Sequence, residues 1–165
     1  AVRTMRRLPQ TVVIAAHGAA IAGGCALLTG ADAVFVDDGT IAGYPVHALG
    51  VSPAVTTPTL RQRIGDGPAR ELLLGGRLVR GRDLLDLGIA THWSDEAVET
   101  DAMAWARDAA TRSSNAMRTT KRWINELDGS DRDMPFDGPV VDSRTLTGGD
   151  EAIEMLAAFW ASRRT

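Results

Sequence analysis

A run of small residues, Gly18-Ala19-Ala20-Ile21-Ala22-Gly23-Gly24, joins the apolar segment Thr11-Val12-Val13-Ile14-Ala15-Ala16 to an Ala- and Leu-rich segment that starts at Cys25. The first is β-branched and of strand length; the last reads as buried helix. A strand, a glycine turn and a helix start leave the first helical amides without intrahelical partners and let another group approach the backbone. Such a turn can grip an anion or a polarised oxygen. It serves equally for close packing alone. The spacing is neither Gly-x-x-x-x-Gly-Lys nor Gly-x-Gly-x-x-Gly, so the two common nucleotide motifs are excluded. Cys25 sits where a helix N-terminus lowers a thiol pKa, yet a cysteine among small apolar residues acts more often as a small hydrophobe. His17, His47 and His92 lack ligand spacing, so no metal site is expected. Asp37 and Asp38 read as a solvated turn.

Composition bounds what these residues can do. A chain of 165 residues, 44% hydrophobic, suits one domain with a real core. The net charge of −3 argues against a polyanion-binding face, so no nucleic acid partner is expected. Gly30 and Asp32 interrupt the most apolar region, so no membrane span is expected either. One cysteine cannot form an internal disulfide, which suits a reducing compartment, the cytoplasm. Ala at position 1 and a strand within the first dozen positions, with no signal or transit segment before it, read as a fragment or processed piece.

The elements that position the turn follow in order. Residues 1–8 read as an amphipathic helix end, with Val2, Met5 and Leu8 on one side and Arg3, Arg6 and Arg7 towards water, stopped by Pro9. Ala33-Val34-Phe35-Val36 reads as a second buried strand. Residues 40–53 form loop and short extended pieces. Helix is expected from about Ala54 to Ile64, broken at Gly65-Asp66-Gly67 and resumed from Pro68 to Leu74. Leu78-Val79 is a short extended piece, Arg82 to Leu87 a helix closed by Gly88, and Ile89 to Trp93 extended again. Ser94-Asp95-Glu96 starts a helix carrying Val98, Ala102, Trp105 and Ala109; Met117, Thr120, Ile124 and Leu127 mark the next. Both stripes are expected to be core. Residues 128–149 are rich in Asp, Gly, Ser and Pro, a long connection that reads as a lid, a partner-contacting arm or a mobile loop. A last helix runs from Asp150 to about Ser162, with Ile153, Leu156, Ala157 and Trp160 along one face.

Val13-Ile14-Ala15-Ala16-His17-Gly18, then Ala22-Gly23-Gly24-Cys25 and Asp32, resembles the signature of the crotonase family, the enoyl-CoA hydratase/isomerase superfamily. Tyr44-Pro45-Val46-His47-Ala48-Leu49-Gly50-Val51-Ser52-Pro53 is similar to the family's segment around Pro-Glu. Gly65, then Ala69 to Arg77, then Gly88-Ile89, resembles its helix, Gly-Arg turn and following helix, and Asp150 to Arg164 its closing helix. The resemblance implies an α/β, crotonase-like ββα superhelix, represented by the C-terminal part of the domain. Residues 1–93 would form a core without the family's N-terminal strands, and 94–165 a helical region used for trimerisation. Those missing strands, which would neighbour strand 11–16 and supply a second oxyanion amide, are expected on another segment or absent from this sequence.

The resemblance also implies an acyl-CoA substrate, coenzyme A being part of the substrate and no separate cofactor being needed, and a homotrimer or dimer of trimers. The Gly23 amide would be one of two donors that hold the thioester oxygen and stabilise an enolate, with Ile21, Ala22, Gly23, Gly24, Val46 and Leu49 lining the substrate site. The family hydratases place one glutamate after the cysteine and one after the proline. Here those positions are Ala26 and Val46, so water addition by two carboxylates is not expected. Ala54-Val55-Thr56-Thr57 stands where the family has a glycine-rich segment and is expected to narrow or reshape the pocket. Tyr44 and His47 flank Val46 and are the replacement acid–base candidates, against the plainer reading of a loop tyrosine and an exposed histidine. Asp32 is expected to be structural. Two functions follow: an enzyme that forms an enolate for isomerisation, decarboxylation or hydrolysis of a thioester or C–C bond, or an inactive homologue that binds CoA or completes an oligomer.

Overall fold

The computed structural model describes residues 1–95 and 97–163. After α1 (Val2–Arg7), the chain visits two small sheets alternately. β1 (Val13–Ala16) lies in the first sheet and β2 (Ala19–Ile21) in the second; α2 (Gly23–Gly30) returns the chain to β3 (Ala33–Val36), beside β1, and β4 (Ile41–Gly43) lies beside β2. Both neighbour pairs are parallel, with Val13 opposite Ala33 and Ala19 opposite Ile41. A 3-10 turn at Pro45–Leu49 and another at Ala54–Thr56 lead to α3 (Thr57–Ile64) and α4 (Asp66–Gly75). β5 (Leu78–Arg80) closes the second sheet antiparallel to β4, and α5 (Arg82–Asp86) leads to β6 (His92–Trp93) in the first. Two strands and then a helix, repeated with a sideways step, give the expected ββα winding.

β3 is buried on both faces, which is why its sequence is a continuous apolar run rather than an alternation. Towards α2–α5 lie Val34 and Val36 with Leu28, Leu60, Leu72, Leu84 and Ile89, all almost wholly buried. Each such side chain contributes about 1.5–3 kcal/mol of transfer free energy. On the other face, Phe35 stacks on His92 at 4.2 Å, and α6 (Val98–Ala110) brings Val98, Ala102 and Trp105 over them. α6 begins at Val98 rather than at Ser94; the Ser94 hydroxyl bonds Asp101, and Glu96 lies outside the described residues. Arg164, the end of the segment likened to the family's closing helix, also lies outside them.

Four further expectations are corrected. The turn after β1 is not a simple connection but contains β2, admitted by Gly18 at φ 65° and held by Ile41 N–H donating to Gly18 O at 2.7 Å. Arg6 does not point to water; it is buried beside Gln62 and Asp128, while Leu8 is exposed. Residues 128–149 are not a long loop, because α8 (Met134–Thr147) fills most of them, anchored by buried Phe136 and by Asp133 and Asp137, which pair with Arg3 and Arg7.

The fourth correction concerns the stripe of α7 (Ser114–Asp128): Ile124 and Leu127 are exposed, not core. On α9 (Asp150–Ala161) the face carrying Ile153, Leu156 and Trp160 is exposed as well. In α7 the polar face turns inward instead. The carbonyls of Met5, Arg6 and Gln10 around the end of α1 need donors. Lys121 Nζ reaches Met5 O at 3.3 Å, Gln10 O at 2.9 Å and Asp32 Oδ2 at 2.6 Å, and Asn125 donates to Arg6 O at 2.7 Å. Asp32 has the structural role expected of it.

Candidate active site

Where β2 ends, Ala22 takes φ 53° and ψ −107°, a conformation suited to glycine. Its N–H donates to Gly43 O at 2.8 Å and its C=O accepts the first intrahelical bond, from Ala26 N–H at 2.9 Å. α2 therefore starts at Gly23, and among the described residues no acceptor takes the Gly23 amide. Gly23 is exposed, and a Cβ built there would meet nothing within 4 Å. At Gly43, by contrast, a Cβ would come to 2.3 Å from Arg77 O, so β4 and β5 approach as closely as only glycine allows.

Beside Gly23 opens a cavity of about 200 Å³, walled mainly by apolar atoms of Ala22, Ala26, Val46, Val51 and Val55. Tyr44, Thr56 and Ser143 also line it, the hydroxyls of the first two bonded to each other and that of Ser143 to Ser52 O. The residues after Cys25 and after Pro45, separate in sequence, meet at this one cavity. Neither Ala26 nor Val46 carries a proton to transfer. Larger cavities lie elsewhere, such as one of about 350 Å³ walled by Pro9, Val13, Ala109 and Met117. None of its lining residues belongs to the first turn of α2.

Tyr44 is buried, its hydroxyl 2.8 Å from Thr56 Oγ1. Burial, then the adjacent Cys25 thiol, push its pKa up against the lowering bond from Thr56, so the phenol keeps its proton and is equipped to donate. Burial likewise pushes the Cys25 thiol up to about 11, only partly offset by bonds from Tyr44 and the Gly43 backbone, so Cys25 is not a nucleophile at neutral pH. His47 is exposed and lines a different cavity, across the Ser52–Pro53 segment. Of the expected substrate residues, Ala22, Gly23 and Val46 line the Gly23 cavity, whereas Ile21, Gly24 and Leu49 do not. His17 is exposed, 3.6 Å from Glu99, and among the described residues no group of three or more His, Cys, Asp or Glu could hold a metal ion.

Ser143 is the lining residue that sequence reasoning missed. It arrives on α8, and its hydroxyl donates to Ser52 O at 2.8 Å. Its segment carries no local sign of the contact; α8 is anchored by buried Phe136, by the Arg3 and Arg7 pairs and by packing on the Ala54–Thr56 turn.

The ββα winding sets an uncommitted helix-start amide over an apolar cavity, and such an amide can donate to a polarised oxygen. The sequence model of the family described as Enoyl-CoA hydratase/isomerase matches residues 2–131. The chain belongs to that family, within the crotonase superfamily. A relative from Thermus thermophilus whose name is that of an enoyl-CoA hydratase is 32% identical over 157 residues, covering 94% of this chain and 62% of its own length. One from Bacillus subtilis, named as an enoyl-CoA hydratase/isomerase, is 32% identical over 124 residues, covering 72% of this chain and 46% of its own. The chain thus spans less than two thirds of these curated relatives. A solved enoyl-CoA hydratase/isomerase from Pseudoalteromonas atlantica superposes with a TM-score of 0.86 at 22% identity, covering 98% of this chain and 66% of that one, a likeness of fold. No helix among the described residues is long and apolar enough to cross a membrane.

Proposed function

We propose that this chain supplies part of an acyl-CoA site in which the Gly23 amide holds the thioester oxygen and stabilises the enolate formed when a bond at the α-carbon breaks. The observation that carries it is the unpartnered Gly23 amide beside an apolar cavity. A preorganised donor aimed at developing negative charge lowers a barrier by about 3–4 kcal/mol. Ala26 and Val46 at the cavity speak against hydration by two carboxylates, leaving isomerisation, decarboxylation or hydrolysis of a thioester or C–C bond. Within this cavity Tyr44 is the ionisable side chain, acting as a donor in its protonated form; His47 would reach an acyl group only from the neighbouring cavity. The working assembly would be a homotrimer or a dimer of trimers, in keeping with the uncovered apolar faces of α7 and α9.

The test offers crotonyl-CoA and a panel of malonyl-type and β-keto CoA esters, followed by mass spectrometry. Turnover of at least one ester of the panel without hydration of crotonyl-CoA is expected; loss of carbon dioxide from a malonyl-type ester needs no base, because the electron pair of the broken C–C bond enters the enolate. Saturable binding with no turnover of any ester would instead support an inactive CoA-binding homologue, a reading favoured by the lack of a carboxylate among the cavity residues. No binding of any acyl-CoA would defeat both.

A further inference from the structure

Across the Ser52–Pro53 segment from the Gly23 cavity lies a second cavity, of about 460 Å³. Ser52 and Pro53 line both, and the 3-10 turn that follows divides them, Val55 and Thr56 facing the first and Ala54 the second. Its apolar part is Pro53, Ala54, Leu73 and Leu74, and three basic side chains join it: His47, Arg61 and Arg70. Arg61 Nε is 2.7 Å from Asp66, whose carboxylate offsets that one charge. Arg70, exposed on α4, has no acceptor or ion-pair partner among the described residues, its neighbour Glu71 being taken by Arg77 at 2.9 Å. In a chain of net charge −3, this leaves one uncommitted guanidinium beside an apolar wall next to the acyl cavity.

We infer that the second cavity receives the far end of the acyl chain and that this end carries a carboxylate, so that the substrates are CoA thioesters of dicarboxylic acids. The inference rests on the reading of Gly23 as the thioester-holding group. The wall formed by Pro53, Ala54 and Leu73 suits methylenes, and one free guanidinium matches one carboxylate, bound through two parallel N–H donors. A nucleotide phosphate cluster would call for more uncommitted positive charge than Arg70 provides. Ser52 and Pro53 line both cavities, so the two adjoin at this segment and the proposed acyl chain would cross it there.

The experiment measures dissociation constants of the purified protein for matched-length CoA thioesters of monocarboxylic and α,ω-dicarboxylic acids, and for free coenzyme A. The dicarboxylic ester of the best-fitting length is expected to bind about tenfold or more tightly than its monocarboxylic partner. Arg70→Gln should abolish that preference and leave the affinities for the monocarboxylic ester and free coenzyme A unchanged, which also certifies that the variant is folded. Equal binding of the two esters by the native protein overturns the inference while the Gly23 reading stands. A preference that survives in both Arg70→Gln and Arg61→Gln, or a weakening of free coenzyme A by Arg70→Gln, overturns it as well. If no thioester binds, the Gly23 reading falls and this inference falls with it.

Discussion

Ala22 is the residue whose backbone conformation its own side chain disfavours. Holding a non-glycine at φ 53° and ψ −107° costs on the order of 1–3 kcal/mol, and the strain persists because the bond to Gly43 and the start of α2 leave the peptide no alternative. That peptide presents the Gly23 amide. Ala22→Gly should relieve the strain, offset by about 0.5–1 kcal/mol of added chain entropy. The expected result is a melting temperature about 2–4 °C higher. Scanning calorimetry checks it; a fall would mean that the side chain contributes packing that outweighs its strain. Cys25 and Tyr44 give a second prediction at this scale. Both have folded pKa values raised above their ordinary 9.0 and 10.0, Cys25 to about 11. Above about pH 9 the unfolded chain therefore loses protons that the folded chain keeps, and stability, fully present below that pH, is lost as pH rises towards and past 11. Cys25 alone accounts for about 2–3 kcal/mol of this, on the order of two pKa units. Urea unfolding at pH 8 and pH 10.5 should show the decline, and Cys25→Ala should flatten its first part.

Among the elements, α7 shows that a helix can pack by its polar side. Lys121 serves Met5 O, Gln10 O and Asp32 Oδ2, and Asp32 accepts in turn from Val12 N–H at 2.7 Å, so one side chain ties α1, the approach to β1 and the end of α2 together. Lys121→Met takes this donor from Met5 O and Gln10 O and leaves the Asp32 carboxylate with the Val12 bond but without its countercharge; it should cost about 2–4 kcal/mol, read from the urea midpoint. A loss below about 0.5 kcal/mol would show that water replaces the ammonium without penalty. The same helix marks what a sequence can and cannot disclose. β1, β3 and α3–α5 were legible because apolar runs, helical period and Gly or Pro punctuation are local properties. So was the Gly23 amide, since any helix start leaves its first donors free. The stripe through Ile124 and Leu127 was equally local, but periodicity reports that a face is apolar and not what covers it. β2 is three residues whose pairing with β4 has no local signature, and α8 is a helix that its Asp, Gly and Pro content argues against until tertiary contacts fix it. The neighbourhood of His47 was read from its distance to Val46 along the chain, and the 3-10 turn at Pro45–Leu49 sends the two side chains to different cavities.

Over the whole molecule, the apolar side chains left uncovered are concentrated towards the C-terminal half. Leu127 is 84% exposed, Trp160 55% and Ile153 59%, with Trp123, Val141 and Met134 also open to solvent. Isolated exposed apolar residues are ordinary, but several large ones on the faces of successive helices are what an interface between protein chains provides. A closed oligomer of the kind proposed above would bury them by repeating one contact around an axis. Sedimentation velocity at micromolar concentration should therefore find a species of three or six copies. Leu127→Glu combined with Trp160→Glu should dissociate it towards monomer with little change in far-UV circular dichroism, because neither side chain belongs to the core of a single chain. Acyl-CoA binding at the Gly23 cavity tests how far the assembly matters to the site: α8 carries Ser143 to that cavity, and α9 sits against the Pro45–Leu49 turn with Ala152 so close to Gly50 that a Cβ there would lie 2.7 Å from its Cα. Loosening the oligomer should thus weaken binding several-fold through these two helices. A monomer at every concentration, with unimpaired binding, would assign the apolar faces to something other than a second copy.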